Sequence, residues 1–212
     1  MSRVRVWDLP VRAFHWLIVV IVPAQYWTAR QEMMDFHILL GQVALGLILF
    51  RIIWGLIGSS TARFAGFVRG PGAILAHLRG RREAAIGHSP IGALSVVALL
   101  VLLLVQVGLG LFATDEDGLY SGPLSHLVSF ETAETLAERH EQVFYVLLGL
   151  IGLHVAAILY YLVVKRDNLV APMITGDRAG NGVEAMAAAP AWRFLVAAAT
   201  AAGLTWAIVT LL

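Results

Sequence analysis

The stretch RHEQVFYVLLGLIGLHVAAILYYLVVKRDNLV, residues 139–170, decides how this chain is read. Its centre, 143–164, is an unbroken apolar run. At about 1.5 Å per residue such a run crosses a hydrocarbon core of about 30 Å as a helix. The run ends at Lys165 and Arg166; one histidine, His140, stands just before it and another, His154, within it. An ionisable residue in a span is costly and is a functional candidate by default. The two stand fourteen positions apart, which is about 21 Å of rise and an angular offset of about 40°. They therefore leave nearly the same face of one helix at two depths.

Four further apolar segments resemble this one in length, roughly 11–29, 36–58, 91–113 and 192–212. The 212-residue chain is 59% hydrophobic and 14% charged, with a mean hydropathy of +0.79. Soluble domains carry about 25% charged residues, so a soluble globular domain is excluded. No ten-residue alternation of a membrane barrel is present. The expected class is all-α: an integral membrane helix bundle with a four-helix core and a fifth, C-terminal transmembrane helix. The core takes residues 1–176, a linker 177–191, and the extra helix 192–212. The chain has no cysteine, which excludes disulfides, cysteinyl iron–sulfur clusters, a thiol nucleophile and covalently attached haem. The N-terminal run passes into Gln25–Tyr26–Trp27 without a small-residue cleavage site, so it reads as a retained anchor. Net charge is +1, and no nucleic-acid partner is expected.

Basic residues are sorted by side. Arg3, Arg5 and Arg12 precede or open the first span. Arg63, Arg69, Arg79, Arg81 and Arg82 lie between the second and third. Lys165, Arg166, Arg178 and Arg193 follow the fourth. The opposite loops hold Glu32, Asp35, Asp115, Glu116, Asp117, Glu131, Glu134, Glu138 and Glu141, with only Arg30 and Arg139. Positive residues stay inside, so the N-terminus is expected in the cytoplasm and the C-terminus outside a bacterial inner membrane. The mixed stretch 63–83 reads as an anchoring loop or a short amphipathic surface helix broken near Gly70–Pro71–Gly72.

Each span 4 histidine needs a partner from another helix. His37 opens span 2 at the outer level and matches His140. His15, near the cytoplasmic end of span 1, is the partner available to His154. Counted from the apolar boundaries, the inner pair differs in depth by about 9 Å, a gap expected to be closed by span 4 protruding into the cytoplasm past Tyr160–Tyr161 or by span 1 starting earlier, near Leu9. Two His–His pairs at two depths suit bis-imidazole ligation of haem iron, which fills both axial positions and favours electron transfer over oxygen chemistry. Proton relay, another metal and interhelical hydrogen bonding are the alternatives.

Other residues fit this frame. Gly41, Gly46, Gly149 and Gly152 leave room beside a macrocycle or let helices pack closely. Arg51 lies fourteen residues after His37; it either pairs with a haem propionate or snorkels to the interface. His77, His88 and His126 lie in loops or at their edges and read as interfacial. Span 5 has Trp192 and Trp206 but no histidine, and reads as peripheral or partner-contacting.

In combination, the motifs VWDLPVRAFHW (6–16), HILLGQVALGLILFRIIWGLIG (37–58), ARFAGFVRGP (62–71), GHSPIGA (87–93) and the 139–170 stretch resemble the bacterial cytochrome b561 / nickel-hydrogenase cytochrome b family. The similarity runs over about 4–176. It implies a four-helix core with two non-covalent b haems, paired on His15/His154 and His37/His140. It also implies electron exchange between membrane quinol or quinone and a redox partner. The fifth span departs from the family pattern.

The function expected is transmembrane electron transfer between the quinone pool and a soluble partner. The acidic outer loops favour a c-type cytochrome or another cationic redox protein. The chain itself is then an electron carrier with, at most, quinol oxidoreductase activity. The alternatives are a membrane-anchoring cytochrome b subunit of a hydrogenase or dehydrogenase complex, and a non-redox membrane module.

Overall fold

The first long helix, α1 (Leu9–Arg30), begins where Asp8 caps it. The Asp8 carboxylate accepts the Val11 backbone N–H through Oδ1 at 2.9 Å, satisfying one of the orphan donors of a helix N-terminus. Its other oxygen accepts from Trp54 Nε1 at 2.9 Å and from the Ser59 hydroxyl. One buried carboxylate thus ties the start of α1 to the end of α2 (Met34–Ile57) and the turn beyond it.

The computed structural model describes residues 3–68, 70, 72, 75, 76, 87–179 and 185–211. After α2 come α3 (Phe64–Phe67), α4 (Pro90–Phe112), α5 (Phe130–Val163), α6 (Val170–Thr175) and α7 (Ala191–Thr210). Five of these, α1, α2, α4, α5 and α7, are long and apolar enough to cross a membrane. The all-α membrane class is therefore found as expected. Large apolar side chains such as Val20, Leu153 and Leu195 stand more than half exposed on these helices, which suits a hydrocarbon solvent rather than water.

The chain divides into two units. The first comprises Met1–Phe14, Arg51–Ala98 and Ile151–Ala197. Here β1 (Arg3–Arg5) pairs antiparallel with β2 (Asp177–Ala179), Val4 opposite Arg178. Arg5 forms an ion pair with Asp177 at 2.7 Å. Gly176 O accepts from the backbone N–H groups of Val6 and Trp7, and the Arg12 guanidinium donates to the carbonyls of Met173 and Ile174. The Phe64 ring lies directly on Gly55, where an added Cβ would collide with it; only glycine lets the loop settle on α2 there. From α7, Arg193 donates to Ile57 O at 3.1 Å and Phe194 packs edge-on to Trp54.

The second unit comprises His15–Phe50, Leu99–Leu150 and Ala198–Leu212. Tyr26 and Phe144 stack with their planes 8° apart. An added Cβ on Gly46 would meet Thr205 Oγ1 of α7 at 3.3 Å. Gly46 therefore serves the contact between α2 and α7.

Two boundaries differ from the sequence reading. The fourth span, expected over 143–164, belongs to a helix that begins at Phe130. Ser129 caps it, its hydroxyl accepting from Thr132 N at 3.3 Å, and Glu131 in the first turn favours the positive helix end. At 34 residues it is about 51 Å long, more than a hydrocarbon core needs. Hydropathy marks the membrane segment and misses the polar turns that continue the helix. Residues 177–179 of the expected linker form β2. Residues 180–184 of that linker, His77, Arg69, Arg79, Arg81, Arg82 and most of the 63–83 stretch lie outside the described residues.

Replacing Asp8 by Ala removes the cap and two buried side-chain bonds, and is expected to cost about 2–3 kcal/mol. Thermal denaturation of the detergent-solubilised protein measures this. Asp8→Asn, which keeps the cap acceptor, is expected to lose less; a melting temperature unchanged in Asp8→Ala would contradict the tie.

Candidate functional site

In the second unit, α2 and α5 bring His37 and His140 together. Their ring centroids are 6.0 Å apart and their planes are inclined by 80°. Each imidazole is held from behind by a helix carbonyl. His37 Nδ1 donates to Gln25 O of α1 at 3.0 Å, and His140 Nδ1 donates to Gln106 O of α4 at 2.8 Å. Thr28, buried on α1, donates its hydroxyl to the same Gln25 carbonyl at 3.0 Å. A carbonyl partner fixes the tautomer: the proton sits on Nδ1 and the Nε2 lone pair is left for a ligand.

The approach of His140 to α4 depends on Gly110. In a helix, residue i+4 stands over the carbonyl of residue i, and Gly110 is that residue for Gln106. A Cβ there would lie 3.0 Å from His140 Cε1 and 3.2 Å from Nδ1. Glycine uncovers the carbonyl so that the imidazole reaches it.

The separation suits a shared metal. A metal–imidazole bond of about 2 Å puts each ring centre about 3 Å from the ion, so two rings on one ion are about 6 Å apart. The carbonyl-held pair meets that spacing with Nε2 as the remaining donor atom on each ring. Two imidazoles, with no thiolate or carboxylate in the set, would suit low-spin haem iron.

The remaining sequence candidates lie as follows. His15 is half-buried on α1 with its ring edge-on to Trp16 at 5.0 Å. His154 is half-buried on α5, its Nδ1 3.4 Å from the Ser95 hydroxyl of α4. Arg51 is 2% exposed on α2, so it is not an arginine snorkelling to the interface. It donates from Nη1 to Ala62 O at 3.3 Å and lies over the Phe64 ring, 5.1 Å from its centre. Among the described residues no carboxylate stands within ion-pair distance of it. A Cβ on Gly149 or Gly152 would touch nothing within 4 Å. His126 is exposed in the short turn Ser125–Leu127.

Sequence reasoning missed three groups. His88, read as interfacial, packs against both Trp7 and Phe67 with ring centroids 4.6 Å away in each case. Burial first, then the charges of Arg51 and His154, push its pKa down to about 3, so it is neutral at physiological pH. Its place beside Ser89–Pro90, at a helix entry, was the available signal. Gln25 and Gln106 are the other two: a glutamine inside an apolar run is a polar residue in lipid and asks for a reason. Their backbone carbonyls hold the two histidines, a role no side-chain pattern encodes. Each also keeps a buried side-chain Oε1 without a hydrogen-bond partner among the described residues.

A comparison with family profiles matches residues 6–176 to prokaryotic cytochrome b561. No curated protein and no solved structure gives a match. The matched segment takes in α1, α2, α4 and α5 with His15, His37, His140 and His154, and stops before α7. With most of its length matched and its apolar helices spanning the membrane, the chain belongs to the prokaryotic cytochrome b561 family, multi-pass bacterial membrane proteins that transfer electrons on b-type haem.

Proposed function

We propose that this protein carries electrons across the bacterial inner membrane on two b haems, an outer one held by His37 and His140 and an inner one held by His15 and His154. The observation that carries this reading is the outer pair: two imidazoles 6.0 Å apart, each with Nδ1 on a helix carbonyl. A bis-histidine haem supplies a one-electron iron couple with no open coordination position.

The protein's contribution is to hold its ligands ready. The Nδ1 bonds fix ring orientation and raise the basicity of Nε2. Because the carbonyls belong to helix backbones, the rings have little freedom to reorganise when the charge on the iron changes. For the inner pair, support comes from helix limits. His15 is six residues after Leu9, and His154 is nine before Val163, a depth difference of about 4.5 Å. The observed limits of α1 and α5 together remove about half of the mismatch in the sequence reading. Arg51, buried without a carboxylate partner among the described residues, is suited to a propionate of the inner haem.

The rest of the reading follows from charge. The di-haem core is residues 1–176, followed by the linker 177–191 and the helix of 192–212. The pairing of β1 with β2 supports one side for the N-terminus and the segment after α5. Lys165, Arg166 and Arg178 support the cytoplasm as that side. The C-terminus is then outside. Quinol or quinone in the lipid is the small-molecule electron donor or acceptor. Glu131, Glu138 and Glu141 are exposed on the first turns of α5, and with Asp115, Glu116 and Asp117 they favour a cationic partner such as a c-type cytochrome.

The purified protein is expected to show a b-type reduced spectrum with two haems per chain. His37→Ala and His140→Ala should each remove the same haem, leaving one. His15→Ala and His154→Ala should remove the other. A wild-type stoichiometry of one, or loss of both haems in every variant, contradicts independent pairs. For orientation, a periplasm-dependent reporter fused after Leu212 should be active, and the same reporter at the N-terminus silent.

A further inference from the structure

His88 lies in the first unit, two residues before α4 begins. Its Nδ1 is buried and has no hydrogen-bond partner among the described residues. A buried polar atom left unpaired costs about 1–3 kcal/mol, so a native structure that keeps one has a use for it. The ring itself is firmly seated: Trp7 and Phe67 pack on it at 4.6 Å each.

The neighbouring groups narrow that use. Phe67 also packs edge-on to Phe64 at 5.8 Å, and Arg51 lies over Phe64. A buried guanidinium and a buried imidazole nitrogen thus share one aromatic-lined region, and the Arg51 charge is felt at His88. Neither has a carboxylate within ion-pair distance among the described residues, although the Asp8 charge acts on Arg51 from farther off. The carboxylate of the same region, Asp8, is engaged elsewhere, its oxygens taken by Val11, Trp54 and Ser59. His154 of α5 belongs to this unit too and acts electrostatically on His88. A cation, a neutral N–H donor and an apolar wall form a receptor for one carboxylate.

We propose that His88 is a positioning residue which donates from Nδ1 to the haem propionate that Arg51 neutralises, anchoring the inner haem beside His154. This rests on the two-haem reading above. The same bond bears on redox poise. A propionate that keeps its hydrogen-bond donor carries less effective negative charge, and uncompensated negative charge near the iron favours the ferric state. Removing the donor should therefore lower the midpoint potential of one haem.

The test is a spectroelectrochemical titration of the purified holoprotein in three forms. His88→Phe keeps a ring between Trp7 and Phe67 but has no N–H. His88→Asn presents an amide nitrogen near the position of Nδ1. The midpoint potential of one haem should fall in His88→Phe and return most of the way in His88→Asn, with the other haem unmoved in both. Redox difference infrared spectra of protein carrying propionate-labelled haem should show a shifted carboxylate band in His88→Phe alone. Unchanged potentials in His88→Phe, or an equal fall in both variants, would overturn the proposal. Loss of one low-spin haem from both variants would make His88 an axial ligand and overturn it as well. If only one variant accumulates, its infrared spectrum against wild type decides: a shifted band in His88→Phe or an unshifted one in His88→Asn supports the bond, and the reverse result refutes it. A wild type with fewer than two haems instead refutes the underlying reading.

Discussion

An imidazole N–H in a hydrocarbon environment has no water to bond to, and the His37–His140 site depends on how that need is met. His37 and His140 each find a main-chain carbonyl on a different helix, Gln25 on α1 and Gln106 on α4. These two bonds do several things together. They satisfy a costly buried donor, choose the tautomer and leave both Nε2 atoms unprotonated. They also draw all four helices of the matched core into one site, since the histidines come from α2 and α5. Helix packing and ligand geometry are thus one constraint: the carbonyls can be reached only if the helices are correctly spaced.

The other unit is built around charge rather than ligand orientation. Asp8 is fully engaged in holding the start of α1 to the end of α2. Arg51, one turn before Trp54 on α2, has no described carboxylate within ion-pair distance and feels the Asp8 charge only from farther off. Burying a cation without an ion-pair partner is expensive, and here the acid that acts on it spends its hydrogen bonds on other donors. α7 buttresses this arrangement, with Phe194 against Trp54 and Arg193 on the last carbonyls of α2. The helix that lies beyond the family match therefore supports the segment that carries Arg51.

Much of this was legible in the sequence, because membrane helices obey simple length and charge rules. Five apolar runs gave five helices, and both histidines of the fourteen-residue spacing lie on α5. Hydropathy failed at α5 because it records lipid contact, while helix extent past the membrane is set by Ser129 and the acidic first turn. Gln25 and Gln106 were hidden for a different reason: what matters there is a backbone atom, and backbone atoms have no letter. Gly110 is the exception, since the missing side chain that exposes the Gln106 carbonyl is itself a letter, though one that close helix packing alone would also select. His88 was misread because loop position suggested solvent, whereas Trp7 and Phe67, distant in sequence, close over it.

The small sheet of β1 and β2 joins residues near the two ends of the matched core, Arg3 to Ala179. Its consequence lies in time. During synthesis the N-terminal strand emerges first and has no partner until four helices have been made and inserted. Asp8 meets Trp54 and Ser59 early, so α1 and α2 can associate as a hairpin, but the clasp on Gly176 and Asp177 closes last. The bonds that hold Val6 and Trp7 to Gly176 are therefore made only after the helix that bears His140 and His154 has been synthesised.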